Sequence, residues 1–144
     1  MSAVLPLAIA AAWAGEPVSF RIHDHRDPIE VDEVTLVYID GEHVGTFHLG
    51  PEREDAELTV TVPSADSHRY ALCGRVTVRR EEGGTITREV NGAGTLSDVA
   101  DRDYDAVAAG DFTIFYLRDI TKGRPPALVG TEPRRGCQPN VASR

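Results

Sequence analysis

The stretch that decides the fold is EVTLVYIDGEHVGTFHL, residues 33–49, in which two apolar runs flank an Asp-Gly pair. Asp40 and Gly41 can both adopt the positive φ that a two-residue hairpin turn requires, so the pair predicts a β-hairpin. The first run, VTLVYI, is apolar on both faces, which is typical of a central strand covered on two sides. The sequence therefore predicts two antiparallel strands joined by a tight turn.

Alternation of apolar and polar residues continues on both sides of this hairpin. It is clearest in ELTVTV, residues 57–62, where Leu58, Val60 and Val62 share one face and the threonines share the other. Turn-forming residues separate the runs, for example EEGG at 81–84. The pattern predicts strands at Val18–His23, Glu33–Asp40, His43–Leu49, Glu57–Val62, Arg69–Arg80, Thr85–Asn91 and Phe112–Arg118.

About seven short strands in a chain of 144 residues indicate one all-β domain. Strands at this spacing predict an antiparallel β-sandwich, immunoglobulin-like in outline. Residues 97–110 interrupt the alternation with Ala and Asp, and they predict either a short helix or a long polar loop. We assign residues 15–120 to the sandwich and residues 121–144, rich in Pro, Gly and Arg, to an extended C-terminal tail.

The first fourteen residues predict an export signal. Residues 3–14, AVLPLAIAAAWA, are apolar and uncharged, and they are too short for a membrane-spanning helix, which needs about 20 residues. Ala12, Trp13 and Ala14 supply a small-x-small cleavage pattern, although the usual opening basic residue is absent. A buried N-terminal helix is the alternative. Export predicts a mature protein in the periplasm or outside the cell, without a stable membrane span.

Export would place the two cysteines in an oxidising compartment, where an even number indicates a disulfide. Cys73 lies in the run RYALCGRVTVRR, on the face opposite Leu72, and Cys137 lies in the tail. A Cys73–Cys137 bridge would close a loop of about 64 residues and contribute about 4 kcal/mol in the chain-entropy model. We expect this bridge to tie the tail across the outside of the sheet.

The net charge of −8 disfavours nucleic acid as the main partner, because phosphate binding needs clustered cations. Residues 1–63 hold twelve acidic and only three basic residues. Two acidic segments in this half are the expected contact surface for a partner, and the alternative is an ordinary solvated surface. The acids concerned are Asp24, Asp27, Glu30, Asp32, Glu52, Glu54 and Asp55.

RIHDHRDP, residues 21–28, places His23 and His25 on one face of a strand, about 7 Å apart. Two histidines can begin a copper or zinc site, but another histidine from elsewhere in the chain would have to complete it. The alternative is a hydrated strand end that Pro28 terminates.

A second candidate cation site is DRDYD, residues 101–105. Asp101, Asp103 and Asp105 alternate as in the opening of a calcium loop, but Ala106 and Phe112 stand where such a loop needs glycine and glutamate. A helix cap or a solvated loop is the alternative interpretation.

No catalytic constellation is recognisable in the sequence, which lacks both a G-x-S-x-G motif and a phosphate-binding glycine loop. The sequence therefore predicts a non-catalytic, exported module without a cofactor. We expect it to bind a cell-envelope protein, a polysaccharide or a secreted enzyme. The alternative is a small periplasmic protein that binds copper or zinc through His23 and His25.

Overall fold

The computed structural model describes residues 16–110, 112–130 and 132–133, and its regular structure is entirely β-strand. Ten strands follow one another along these residues: β1 (Val18–His25), β2 (Glu30–Ile39), β3 (Glu42–Leu49), β4 (Asp55–Val62), β5 (His68–Arg79), β6 (Thr85–Leu96), β7 (Asp103–Ala109), β8 (Ile114–Asp119), β9 (Ala127–Val129) and β10 (Glu132–Pro133). No helix is present in this part of the chain, which confirms the all-β prediction.

The strands form one mixed sheet that curves into a nearly closed barrel. Their order across the sheet is β3-β2-β5-β6-β8-β7-β1-β4, with β10 added to β6 and β9 added to β8. Most neighbours are antiparallel, but β1 pairs with β7 in parallel and so does β6 with β8. The predicted antiparallel sandwich, immunoglobulin-like in outline, does not describe this sheet, because the two parallel pairings join the strands into one continuous layer.

Residues 97–110 form neither the short helix nor the long loop that their composition predicts. The loop is limited to residues 97–102, and β7 follows it, between β1 and β8. Tyr104 and Ala106 face the core, and the Tyr104 ring packs edge-on against Phe20 with ring centroids 5.7 Å apart. Alanine disfavours strands only weakly, so hydrogen-bonded pairing with β1 on one side and β8 on the other is sufficient to hold this segment extended.

The barrel interior is apolar through most of its length. Phe20 and Ile22 of β1 are completely buried, and Tyr70 of β5 packs in the same cluster. The Tyr70 hydroxyl donates to the carbonyl oxygen of Val129 at 2.7 Å and accepts a hydrogen bond from the N–H of Leu117. This hydroxyl therefore links β9 and β8 to the core.

Two glycines in β6 allow other backbone segments to approach it closely. A Cβ atom at Gly92 would lie 1.6 Å from the carbonyl oxygen of Phe115, and one at Gly94 would lie 2.1 Å from the carbonyl oxygen of Gly130. Only glycine fits at either position. With these close approaches β6 continues to Leu96, beyond its predicted end at Asn91.

All seven predicted strands are present, with ends shifted by a few residues, whereas β7, β9 and β10 were not predicted. The export signal at 1–14 and Cys137 lie outside the described residues. Cys73 is buried in β5 beside Leu36, in a small cluster apart from the main core. The Cys73–Cys137 bridge and the limits of the leader, domain and tail stay predictions. No helix in the described part of the chain is long and apolar enough to cross a membrane.

Candidate functional site

Two acidic turns meet at one end of the barrel, which we call the acidic end. They are the β1–β2 turn (26–29) and the β3–β4 turn (50–54). Strands β1 and β4 pair side by side, and the N–H of Arg26 donates to the carbonyl oxygen of Glu54 at 2.7 Å, which extends this pairing into the turns. The acids that reach solvent here are Asp27, Asp32, Glu52, Glu54 and Asp55.

Basic side chains lie close to only some of these acids. Arg26 Nη2 lies 3.3 Å from Glu54 Oε2, and His48 Nε2 lies 3.6 Å from Asp32 Oδ1. Glu52 and Asp55 are both exposed, and no side chain in the described part of the chain forms an ion pair with either of them. These two carboxylates are therefore available to a cationic partner.

A cleft of about 430 Å³ opens beside the β3–β4 turn. It is lined by Asp32, His48, Leu49 and residues 50–53. Its walls carry the carboxylates of Asp32 and Glu52 together with the Arg53 side chain. Carboxylates in a shallow cleft suit the lysine or arginine side chain of a partner.

Three carboxyl groups lie inside the barrel beneath the acidic end, and we call them the carboxyl trio. They belong to Asp24, Glu30 and Glu33, which are 1%, 3% and 1% exposed. Asp24 continues the inward face of β1 that Phe20 and Ile22 begin, and the two glutamates come from β2. The trio lies in an interior that is apolar through most of its length.

Hydrogen bonds hold the trio in place. The Thr35 hydroxyl donates to Glu33 Oε2 at 2.7 Å, and the backbone N–H of Asp27 donates to Glu30 Oε2 at 2.7 Å. The Glu33 carboxyl adjoins the carboxyls of both Asp24 and Glu30, so a hydrogen bond between these groups forms only when one of them is protonated. Among the described residues, no hydrogen bond of good geometry otherwise reaches the side-chain oxygens of Asp24, although the backbone N–H of His25 favours their ionised form.

Burial raises the pKa of every member of the trio, because the interior disfavours the ionised form. The pKa of Asp24 rises to about 7, that of Glu30 to about 8 and that of Glu33 to about 9. At Glu30, the hydrogen bond with Glu33 raises the pKa further. At Glu33, the hydrogen bond with Asp24 does the same. The trio therefore keeps most of its protons at neutral pH and gains negative charge above it.

Acid–base catalysis requires a carboxyl within hydrogen-bonding reach of a substrate. The trio does not meet this requirement in the present conformation, because its side chains have almost no contact with solvent. It can bind and release protons, and each ionisation adds negative charge directly below the acidic end.

His23 and His25 project from the outer face of β1 toward β7. His23 Nε2 lies 3.3 Å from Asp103 Oδ1, and His25 Nε2 lies 3.4 Å from Asp105 Oδ1. The structure thus brings the predicted copper or zinc histidines next to two of the predicted calcium aspartates, because β1 and β7 are parallel neighbours. Asp101 lies apart, in the loop before β7.

Arginines share the same two aspartates. Arg21 Nε lies 2.6 Å from Asp103 Oδ1, and Arg118 Nη2 lies 3.3 Å from Asp105 Oδ2. The Arg21 guanidinium holds the pKa of Asp103 below its usual range. Within the described ranges, no group of three or more His, Cys, Asp or Glu side chains is arranged to hold a metal ion.

Two of the predicted contact acids, Asp24 and Glu30, are buried and cannot meet a partner at the surface. The other five lie at the acidic end. Sequence reasoning placed Glu33 at the end of an acidic contact segment and missed that it is buried. The signal for burial was the alternation itself. Asp24 follows Phe20 and Ile22 at alternate positions of β1, so its side chain points to the same, core-facing side of the strand.

No protein-family model, curated protein or solved structure shows a significant match to this chain. The geometry of the acidic end is therefore the basis for its functional interpretation.

Proposed function

We propose that the protein is a non-catalytic, exported module that binds a basic surface on a cell-envelope protein or a secreted enzyme. The observation that carries the proposal is the meeting of two acidic turns at one end of the barrel, joined by the backbone hydrogen bond from Arg26 to Glu54. Turns positioned by a rigid sheet are common binding surfaces. Opposite charge on the two partners accelerates their encounter and selects between them.

The distribution of charge supports a basic partner. The chain carries a net charge of −8, and Glu52 and Asp55 at the acidic end have no ion pair with a described residue. The cleft lined by Asp32 and Glu52 adds a place for one cationic side chain. Ionisation of the carboxyl trio at higher pH would strengthen this negative potential.

A protein partner is favoured over a polysaccharide because sugars are usually recognised by exposed aromatic rings. Neither acidic turn contains an aromatic residue. Among the aromatic residues of the strands, Phe47, Tyr70 and Phe115 are buried in the core. Export is supported by the apolar segment at residues 3–14 and the cleavage pattern that ends it.

The test is a comparison of two variants with the same change in charge. Glu52→Lys with Asp55→Lys reverses charge at the acidic end, and Glu42→Lys with Glu89→Lys reverses two exposed acids on β3 and β6. Each variant is used as bait for cell-envelope and secreted fractions at low and at high salt. We expect the acidic-end variant to lose at least about tenfold in partner retention and the control to keep it.

Salt is a second readout of the same contact. Retention by the native protein is expected to fall as ionic strength rises, since exposed charges are screened within about 10 Å at 0.1 M salt. Equal retention by both variants, or retention that salt does not change, would contradict the proposal. Fractionation of cells that express the full chain tests export separately.

Binding of copper or zinc through His23 and His25 stays a prediction. It is tested by the metal content of protein purified without a chelator and by the thermal shift that each metal produces. Stoichiometric metal that His23→Ala removes would establish this function. A metal-free protein whose unfolding temperature responds to neither metal would end it.

A further inference from the structure

The barrel is nearly closed, and the place where it does not close is the seam between β3 and β4. These strands are consecutive in the chain, yet β3 pairs with β2 and β4 pairs with β1. Among the described residues only one bridge, between Gly50 and Arg53, joins them, and no ladder continues beyond it. The two strands are therefore a hairpin that splays apart immediately after its turn.

The hydrogen bonds around the turn show which backbone groups of β4 face the seam. Arg26 donates to Glu54, so in the antiparallel β1–β4 ladder the even-numbered residues of β4 point their N–H and C=O groups at β1. The odd-numbered residues point theirs the other way, into the seam. These residues are Asp55, Glu57, Thr59 and Thr61.

The facing groups of β3 follow from the turn itself. Gly50 and Arg53 exchange two hydrogen bonds, of 2.9 and 3.1 Å. A regular hairpin would continue with His48 opposite Asp55 and Thr46 opposite Glu57, both as hydrogen-bonded pairs. The described strands contain neither pair. As far as the described ranges go, the seam thus holds two facing strand edges whose backbone groups have no partner.

Leu58 bridges the seam on its core side. Leu58 packs against Gly45, and a Cβ atom at Gly45 would lie 2.7 Å from both Leu58 methyl carbons. Leu58 also contacts the main core. This contact holds β3 and β4 close together at the level of Leu58, so a strand added to the β4 edge would displace β3 from it there.

The outer face beside the seam is acidic at its turn end. Asp55 and Glu57 project outward from β4. The Glu57 side chain is 50% exposed, and its Oε1 lies 3.5 Å from His23 Nδ1 of the neighbouring strand β1. A strand added to this edge would place its own outward side chains directly opposite these two carboxylates, where positive charge is stabilising. An unpaired edge is a ready template for one more strand.

We propose that the partner binds by strand addition: an extended segment with lysine or arginine at alternate positions pairs with the open edge of β4. This inference rests on the proposed function, because it names the contact that the acidic end would make. The basic side chains lie over Asp55 and Glu57, and the intervening apolar side chains turn toward Leu58.

The test uses a blocked eight-residue peptide of alternating lysine and valine and the full native chain labelled for NMR. We expect shifted signals and slowed hydrogen exchange at the amides of Asp55, Glu57, Thr59 and Thr61, and unchanged exchange at the even-numbered amides, which are already paired with β1. An alternating glutamate–valine peptide serves as the charge control and should bind at least about tenfold more weakly.

Backbone methylation of the peptide isolates strand pairing without any change in the protein. The peptide is proposed to run antiparallel to β4, so lysines opposite Glu57 form hydrogen-bonded pairs and their N–H groups face β4. Methylation of every lysine N–H should weaken binding by at least about tenfold, because it removes hydrogen bonds, whereas methylation of every valine N–H should preserve it. Equal binding by both methylated peptides would overturn strand addition.

The failure of this inference can be told from failure of the proposed function. If the methylated peptides bind equally but Glu52→Lys with Asp55→Lys abolishes binding, the acidic end is a binding surface and strand addition is wrong. If the lysine–valine peptide does not bind, or binds without dependence on these acids, while Glu52→Lys with Asp55→Lys still reduces partner retention, strand addition alone is overturned. If that variant also keeps full retention, both are overturned. Exchange at the β4 edge that slows with protein concentration alone would mean that a second copy occupies the seam, and it would overturn the proposal.

Discussion

Stability should fall steeply as the pH rises from 5 to 7, because the carboxyl trio is protonated in the folded protein and ionised in the unfolded chain. The pKa of each member is raised, from 3.8 to about 7 for Asp24, from 4.5 to about 8 for Glu30 and from 4.5 to about 9 for Glu33. A raised carboxyl pKa means that the folded state binds more protons between the two values, so ΔG of unfolding decreases with pH in that window. The decrease should end near pH 9.

The size of the effect follows from the number of protons. One carboxyl that stays protonated only in the folded state lowers ΔG of unfolding by about 1.4 kcal/mol per pH unit. Three such groups give an upper limit of about 4 kcal/mol per unit between pH 5 and pH 7. Since a domain is typically stable by about 5–15 kcal/mol, a slope even half this large is easily measured.

The assay is urea denaturation followed by circular dichroism at pH 5, 6, 7 and 8. Glu33→Gln keeps an acceptor for Thr35 and a donor for Asp24 but removes one titrating group. It should therefore reduce the slope by about 1.4 kcal/mol per unit and make the variant more stable than the native protein at pH 8. Glu81→Gln, in the exposed β5–β6 turn, is the control and should leave the slope unchanged.

His68 also makes stability fall with pH, but only above its ordinary pKa of 6.5, because its pKa is raised in the folded protein. The slope of stability between pH 5 and pH 6 is therefore the most direct measure of the trio. A native protein whose stability is flat or rises between pH 5 and pH 7 would refute the reasoning. So would a Glu33→Gln variant with an unaltered slope, because the missing carboxyl would then have carried no proton in the folded state.

Three further predictions concern buried positions. Gly92→Ala should lower the free energy of unfolding by at least about 4 kcal/mol or prevent folding, since the added Cβ would collide with the carbonyl oxygen of Phe115. Circular dichroism and urea denaturation would show this, and a loss of stability under about 1 kcal/mol would contradict it. His68→Gln should lower stability by about 2 kcal/mol at pH 5 and by less at pH 9. Burial lowers the pKa of His68, but the 2.7 Å contact with the Asp40 carboxylate outweighs burial and raises it, so the contribution of His68 to stability is lost as pH rises. Thermal unfolding at both pH values measures this, and an equal loss at the two would refute it. Phe20→Ala should cost about 3–5 kcal/mol by opening a cavity, and hydrogen exchange of the core amides should accelerate accordingly; unchanged exchange would contradict burial of this ring.

Local alternation was sufficient to predict the strand content and most strand positions. The hairpin at Asp40 and Gly41 is present, with both residues at positive φ, because an Asp-Gly turn is set by the steric freedom of two neighbouring residues. β7 was missed because its alanines and aspartates resemble a helix or a loop. Contacts with β1 and β8 override that weak preference, and neither strand is adjacent to β7 before the chain has folded.

The candidate site divides in the same way. The two acidic turns and the polar face of His23 and His25 are visible in the sequence, because they depend on residues one or two positions apart. Their neighbours are not visible. The β1–β4 pairing brings the turns together, and the parallel β1–β7 pairing brings the histidines to the aspartates at 103 and 105.

Long-range pairing also decides which acids are buried. Asp24 and Glu33 look like surface residues by type, yet closure of the sheet into a barrel directs them inward and deprives them of water, which is the cause of their raised pKa values. The order of the strands, the open seam and the charge state of the trio are therefore properties of the folded barrel. They arise from contacts between segments far apart in the chain, on which the spacing of neighbouring residues places no constraint.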